Sequence, residues 1–451
     1  MLARVAILLG IGMTVLDGAV VNIALPTIAQ SLRVSAADVI WVVNAYQIAV
    51  LALLLPCAAL GDRLGFRRVY LWGLVLFGLA AGLCTVADSL STLALARALQ
   101  GAGAAAVMSV NTALIRLVYP DRLLGRGLAL NSATVAASMA AGPTVGGAIL
   151  AIAPWPLLFA MAVPIAAVLL VLGRASLPAN PAGERAIARI GLLDVVLNAG
   201  TFSLLFLGTA ALAAAYRPDA ADDTPWLGAA GIAGSLLLGA VYVRRERRKA
   251  VPLLPVDLLR IRVFALSIAT SVCSFAAYTL ATIALPFLML TTWDLGPART
   301  GIAMTAWPLA LMATATVSGA LIGRLHSGLL GGIGQAVLAI GLVLLALLPA
   351  HPATWDVVWR MVVCGIGFGL FQPPNNHVIV TTPPRARAGA ASGMLGTARL
   401  TGQSVGAVTA AAIFGLASVS DGTGPIAALA MAAAFAVAAG CLSLLRLRTT
   451  D

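Results

Sequence analysis

One carboxylate stands alone in the first long apolar stretch of the sequence. Asp17 follows MTVL and precedes GAVVNIALP. At about 1.5 Å per helical residue it lies roughly 18 Å from the start of that stretch, near the middle of any hydrocarbon layer the stretch crosses. An ionised acid at that depth is costly, and the default reading is that it serves a function. Arg97 stands in a later apolar stretch, about 6 Å from its start, and its long side chain could approach the level of Asp17 if the two helices touch. Apolar surroundings favour the neutral acid and a neighbouring guanidinium favours the carboxylate, so relative movement of the helices would switch the protonation state. That is a physical recipe for coupling to protons. The competing reading is a carboxyl held by a static arginine for packing specificity. Two more arginines stand inside apolar runs. Arg399 lies about 16 Å deep in the second half of the chain, facing a cavity or bracing an interface. Arg360 opens a stretch similar to that of Arg97, where it could also snorkel outward.

Other chemistry is constrained by what the chain lacks. Its only lysine, Lys249, follows Arg248 and precedes Ala250, so no Walker A loop exists and ATP is not expected as a partner. His326, His351 and His377 are scattered along the chain. They form no cluster for a metal or for nucleophilic catalysis. Cys57, Cys84, Cys273, Cys364 and Cys441 fall in separate apolar runs and read as small packing residues. No cofactor and no metal are expected. A membrane-embedded lipid-modifying enzyme would need converging acids or histidines, which disfavours that class.

The elements that must position Asp17 and Arg97 follow from composition. Of the 451 residues 61% are hydrophobic and only 10% charged, against about 25% charged in soluble domains. The chain reads as an all-α polytopic membrane protein. A bilayer core of about 30 Å takes roughly 20 apolar residues per helix, and on that template fourteen stretches fall between residues 5 and 445. The basic N-terminal start reads as a retained span, because Asp17 interrupts its apolar run and no convincing cleavage site follows.

With a cytoplasmic N-terminus, most of the 28 Lys and Arg residues fall in inside loops and tails; only Arg33, Arg217 and Arg299 fall outside. This positive-inside asymmetry places the chain in a cytoplasmic membrane with both termini cytoplasmic. It also makes the net charge of +12 topological, so nucleic acid is not an expected partner. The run RRERRK at 244–249 fits orientation and contact with anionic membrane lipids.

The chain also echoes itself. RALQGAGAAAVMSVNTALIRLVYPDR from Arg97 and RMVVCGIGFGLFQPPNNHVIVTTPPR from Arg360 share a skeleton, and AAGPTVGG at 140–147 is echoed by LTGQSVGA at 400–407. Two six-helix bundles in parallel repeat are implied. The expected division is an N-terminal bundle over 1–173, linker loops with two additional spans over 174–262, and a C-terminal bundle over 263–451. Two further segments bear on movement. ALGDRLGFRR at 59–68 puts an acid and a glycine among arginines in a tight inside turn. In AAGPTVGG, Pro143 removes a helix hydrogen bond and the glycines admit a neighbouring backbone, for a hinge or for static close packing.

Taken in order, these segments resemble the major facilitator superfamily, and within it the fourteen-span drug:proton antiporters. LDGAVVNIALP at 16–26 looks like that branch's first-span signature, WVVNAY at 41–46 and ALGDRLGFRR like its second span and following loop. RALQGAGAA at 97–105 resembles the fourth-span motif, AAGPTVGG the antiporter motif, and GTARLTGQSVG at 396–406 a signature of span thirteen. The resemblance implies the major facilitator fold, with two six-helix bundles plus two inserted helices. It implies Asp17 as the proton-coupling acid and Arg97 as the proton-relay arginine. Asp62, Arg63, Gly65 and Arg67 would form an inner gate, and Gly142, Pro143, Gly146 and Gly147 the helix-contact motif of exporters. Ala58 stands where the loop motif usually begins with Gly. The family's exporters of multivalent cations often carry further acids in the second bundle, whereas the later spans here have none between their ends. Neutral, zwitterionic or weakly anionic lipophilic compounds are therefore expected over dications.

The reading is a proton-coupled antiporter that exports amphipathic drugs or antibiotics by alternating access, with protons and a small amphipathic compound as partners. A dedicated exporter of one metabolite, such as a self-made antibiotic, fits the same residues. Asn22, Gln47 and Asn111 are expected to supply polar contacts to the substrate, on depth and polarity.

Overall fold

The computed structural model describes residues 2–120, 123–178, 192–215, 225–246, 256–349, 352–383 and 388–448. Its regular elements there are helices, as expected where hydrocarbon leaves backbone groups no partner but their own segment. In order they are α1 (Leu2–Leu32), α2 (Ala36–Val39), α3 (Trp41–Leu64), α4 (Phe66–Thr85), α5 (Leu90–Val118), α6 (Leu124–Ile152), α7 (Pro156–Ala160), α8 (Ala162–Ser176), α9 (Leu192–Ala215) and α10 (Pro225–Glu246). The series continues with α11 (Arg262–Phe287), α12 (Pro297–Leu321), α13 (Ser327–Ala346), α14 (Thr354–Thr381), α15 (Ala388–Leu416) and α16 (Thr423–Leu445). Among the described residues, 12 helices are long and apolar enough to cross a membrane. The other two expected stretches fold as α9, whose described apolar part is the shorter Leu193–Leu205, and α15, where Arg399, Thr401, Gln403 and Ser404 lower the apolarity.

The chain forms two compact units, Met1–Phe206 with Gly234–Gly239, and Leu207–Ala233 with Ala240–Asp451. In the first unit α3 and α4 pack on α5, α1 packs on α6 and α8, and α4 packs on α8. The Asn198 amide of α9 donates to the Ala52 carbonyl of α3 at 2.9 Å. In the second unit α12 and α13 pack on α14, α11 packs on α15 and α16, and α13 packs on α16. The pairing is the same when α11 stands for α1, α12 for α3, α13 for α4, α14 for α5, α15 for α6 and α16 for α8.

Glycine contacts give the register of this repetition. A Cβ on Gly103 would lie 2.5 Å from the Phe77 nitrogen and 2.8 Å from the Gly73 carbonyl; one on Gly367 would strike the Leu338 nitrogen and lie 2.7 Å from the Gly334 carbonyl. Gly101 presses on Tyr46 and Ala49 of α3 as Gly365 presses on Trp307 and Ala310 of α12. Only residues without a side chain let backbones approach this closely. Gly103 therefore pairs with Gly367, which puts Met361 opposite Arg97 and corrects the alignment that began both segments at an arginine. Arg360 stands one position away. It pairs with Asp356 one turn earlier at 3.2 Å, with its guanidinium 4.3 Å from the Trp359 ring.

Arg446, read from sequence as one more inside-tail arginine, is 1% exposed. It donates to Ser267 Oγ at 3.0 Å and Asn375 Oδ1 at 2.8 Å and also bonds Ser443 Oγ, tying the end of α16 to α11 and α14.

Candidate functional site

Asp17 is placed by α1 and Arg97 by α5, helices that touch in the first unit. Arg97 Nη1 donates to Asp17 Oδ2 at 2.6 Å, with the two side chains 1% and 5% exposed. The second carboxylate oxygen, Oδ1, accepts from Gln100 Nε2 at 2.8 Å. Gln100 Oε1 in turn accepts from Arg97 Nη1 at 2.7 Å, so one amide binds both members of the ion pair. Arg97 Nε donates to the Val42 carbonyl at 3.1 Å. The guanidinium lies 4.2 Å from the Tyr46 ring centre and 5.6 Å from that of Phe159. The Tyr46 hydroxyl donates to the Thr14 carbonyl of α1 at 3.3 Å, and the Cys84 thiol of α4 lies 3.6 Å from Gln100 Oε1.

Each bond has a local cause. Arg97 and Gln100 are three residues apart on one helix and share a face. The run GAGAAA after Gln100 lets α3 and α4 close on α5. Buried charges are tolerated when their remaining lone pairs and protons are also hydrogen-bonded, and here both carboxylate oxygens are occupied. The arrangement can hold one negative charge at α1 and one positive charge at α5. A proton on Asp17 would remove the first while Gln100, the Val42 carbonyl and the Tyr46 ring still held the second.

Gln100 was missed from sequence because it carries no charge. The signal available was a polar residue one turn from Arg97 in a helix otherwise made of small and apolar side chains. In the second unit the register puts Cys273, Met361 and Cys364 at the places of Asp17, Arg97 and Gln100, so the polar cluster has no counterpart there.

The other expected site residues are dispersed. Asn111, buried on α5, donates to Asn131 Oδ1 of α6 at 2.6 Å. Asn22 on α1 and Gln47 on α3 are half-buried. Arg399 is half-buried on α15. Gly65 has φ of 102°, a conformation that favours glycine, and forms the break between α3 and α4. Arg67 Nη2 donates to the Arg174 carbonyl near the end of α8 at 2.6 Å. Asp62 and Arg63 lie on α3, but their side chains are outside the described residues. Pro143 sits within α6, which continues through it. Gly142 packs against Ala19 of α1, and a Cβ on Gly146 would lie 2.6 Å from Ile23 Cγ2. Gly147 is buried on the same helix. Among the described residues no group of three or more His, Cys, Asp or Glu could hold a metal ion.

The chain is 50% identical over 446 residues, 99% of its length and 95% of the relative's, to the uncharacterized transporter YebQ of Escherichia coli (strain K12). It is 31% identical over 400 residues, 88% of its length and 78% of the relative's, to the multidrug efflux pump LfrA of Mycolicibacterium smegmatis. A crystal structure of a POT family transporter in complex with 5-aminolevulinic acid covers 100% of this chain and 96% of its own, with a TM-score of 0.72 at 13% identity, a likeness of fold alone. The matched proteins transport rather than catalyse, and the chain is an integral membrane transporter. A profile described as Major Facilitator Superfamily matches residues 7–407, and the chain belongs to that family.

Proposed function

We propose that this transporter is a proton-coupled antiporter that exports amphipathic compounds by alternating access. It would cross the cytoplasmic membrane fourteen times with both termini inside, as two six-helix bundles, 1–173 and 263–451, joined through the inserted pair within 174–262. The observation that carries the reading is the buried Asp17, Arg97 and Gln100 cluster, a titratable acid whose ionised form is neutralised by a neighbouring helix. Protonation from outside would break the attraction between α1 and α5 as substrate leaves there; proton release inside, as the next substrate binds, would restore it. Arg97 keeps its charge throughout, since a guanidinium does not lose its proton in proteins. Export of drugs is supported by the similarity to a multidrug efflux pump. Gly65 and Arg67, with Asp62 and Arg63, would form the inner gate, and Gly142, Pro143, Gly146 and Gly147 the contact along which α6 and α1 slide.

The test is export from proteoliposomes under an imposed pH gradient, wild type against Asp17→Asn. Gradient-driven export should vanish in the variant while substrate exchange without a gradient persists. Gradient-driven export at the wild-type rate would remove the coupling role of Asp17.

A further inference from the structure

The second unit holds a chain of touching aromatic rings where the first unit has mostly smaller residues. Phe368 lies 5.4 Å from Phe275, 5.3 Å from Tyr278 and 5.7 Å from Phe371, and Tyr278 lies 5.6 Å from Trp307 at an interplanar angle of 87°. The glycine register sets Phe275 opposite Ala19, Trp307 opposite Tyr46, and Phe368 opposite Ala104. Tyr278 stands opposite Asn22.

Two features distinguish this cluster from core packing. Trp307 is 1% exposed, and its indole N–H has no hydrogen-bond partner among the described residues. A buried donor left unpaired is destabilising, and phenylalanine would fill the space without that penalty. Beside it, Tyr278 is half-buried, and its hydroxyl makes no hydrogen bond among the described residues. Trp307 is thus a donor kept under a ring at the partly open edge of the cluster. The charge environment narrows the ligand. Of α11, α12 and α14, which carry these rings, only α14 contains an acid, Asp356 in its first turn, where Arg360 pairs with it.

We propose that Tyr278 and Trp307 form a substrate-contacting surface selecting planar aromatic compounds, neutral or anionic, that carry a hydrogen-bond acceptor on the ring system. The ligand stacks on Tyr278, whose ring turns aside, and its acceptor takes the Trp307 N–H. Offset or edge-to-face ring contacts supply the attraction, and the filled hydrogen bond supplies the selectivity. The proposal rests on reading the chain as an exporter of small amphipathic compounds and names their class.

Equilibrium binding to the purified full chain in detergent tests it with two uncharged planar probes. Acridone has a ring carbonyl; anthracene has the same three-ring shape and no acceptor. Trp307→Phe should weaken acridone about fivefold, the worth of one neutral hydrogen bond, and leave anthracene unchanged. Tyr278→Leu should weaken both. Wild-type acridone binding in Trp307→Phe, equal losses for both probes in that variant, or no binding of either probe to the wild type would overturn it. Binding needs no proton gradient, and a loss confined to acridone in Trp307→Phe reads this surface alone. Failure of this surface is therefore distinguishable from failure of proton coupling.

Discussion

The second unit already shows what the fold looks like without the ion pair, and that sets up a double-mutant cycle. Cys273 and Met361 occupy the places of Asp17 and Arg97, so Asp17→Cys and Arg97→Met exchange one unit's residues for the other's. Asp17 Oδ2 and Arg97 Nη1 are 2.6 Å apart with both side chains buried. Removing either partner leaves the other charge uncompensated, at a cost of about 3–5 kcal/mol. Removing both leaves none, so the double variant should be more stable than Asp17→Cys alone, with a coupling of about 2 kcal/mol or more. The single losses should also be unequal. In Arg97→Met the acid can take a proton and become neutral, whereas in Asp17→Cys the guanidinium cannot discharge. Lowering the pH should accordingly restore stability to Arg97→Met and not to Asp17→Cys. Thermal unfolding in detergent, followed by tryptophan fluorescence, reads these differences as shifts of about 3–5 °C for the worse single variant. Losses that simply add in the double variant would refute the argument that the pair is held by mutual neutralisation.

Gly103→Val and Gly367→Val should each abolish folded protein, measured as monodisperse yield, because each would drive a side chain into the facing backbone in its own unit. Arg360→Ala should change stability by only about 0.3–0.5 kcal/mol, since its pairing is local and partly exposed. Competition for export by compounds of matched lipophilicity should rank neutral and weakly anionic ones above dications; strong export of dications alone would contradict the charge argument.

Much of the architecture was legible because its causes are compositional. Apolar runs of sufficient length mark helices, and the structure has one in each of the fourteen stretches, with twelve apolar enough to cross among the described residues. Asp17 and Arg97 stood out since a charge in an apolar run has few explanations. Gln100 did not, because an amide carries no comparable penalty and its importance lies in touching both charged groups at once. The repeat was visible but read one residue out of register at Arg97. Matching arginines drew the eye, whereas backbone approach at Gly101, Gly103, Gly365 and Gly367 decides the packing. Arg446 was hidden for the opposite reason: it sits where the charge rule expects a loop arginine, and only tertiary structure shows it buried among Ser267, Asn375 and Ser443.

The central claim is that Asp17 gains and loses a proton under working conditions. Infrared difference spectroscopy of the full chain in liposomes, recorded over a series of pH values, observes this directly. The account expects a protonated-carboxyl stretch that grows as pH falls and is missing from Asp17→Asn. A spectrum in which no band of the wild type depends on Asp17, at any pH and with either direction of gradient, would contradict it.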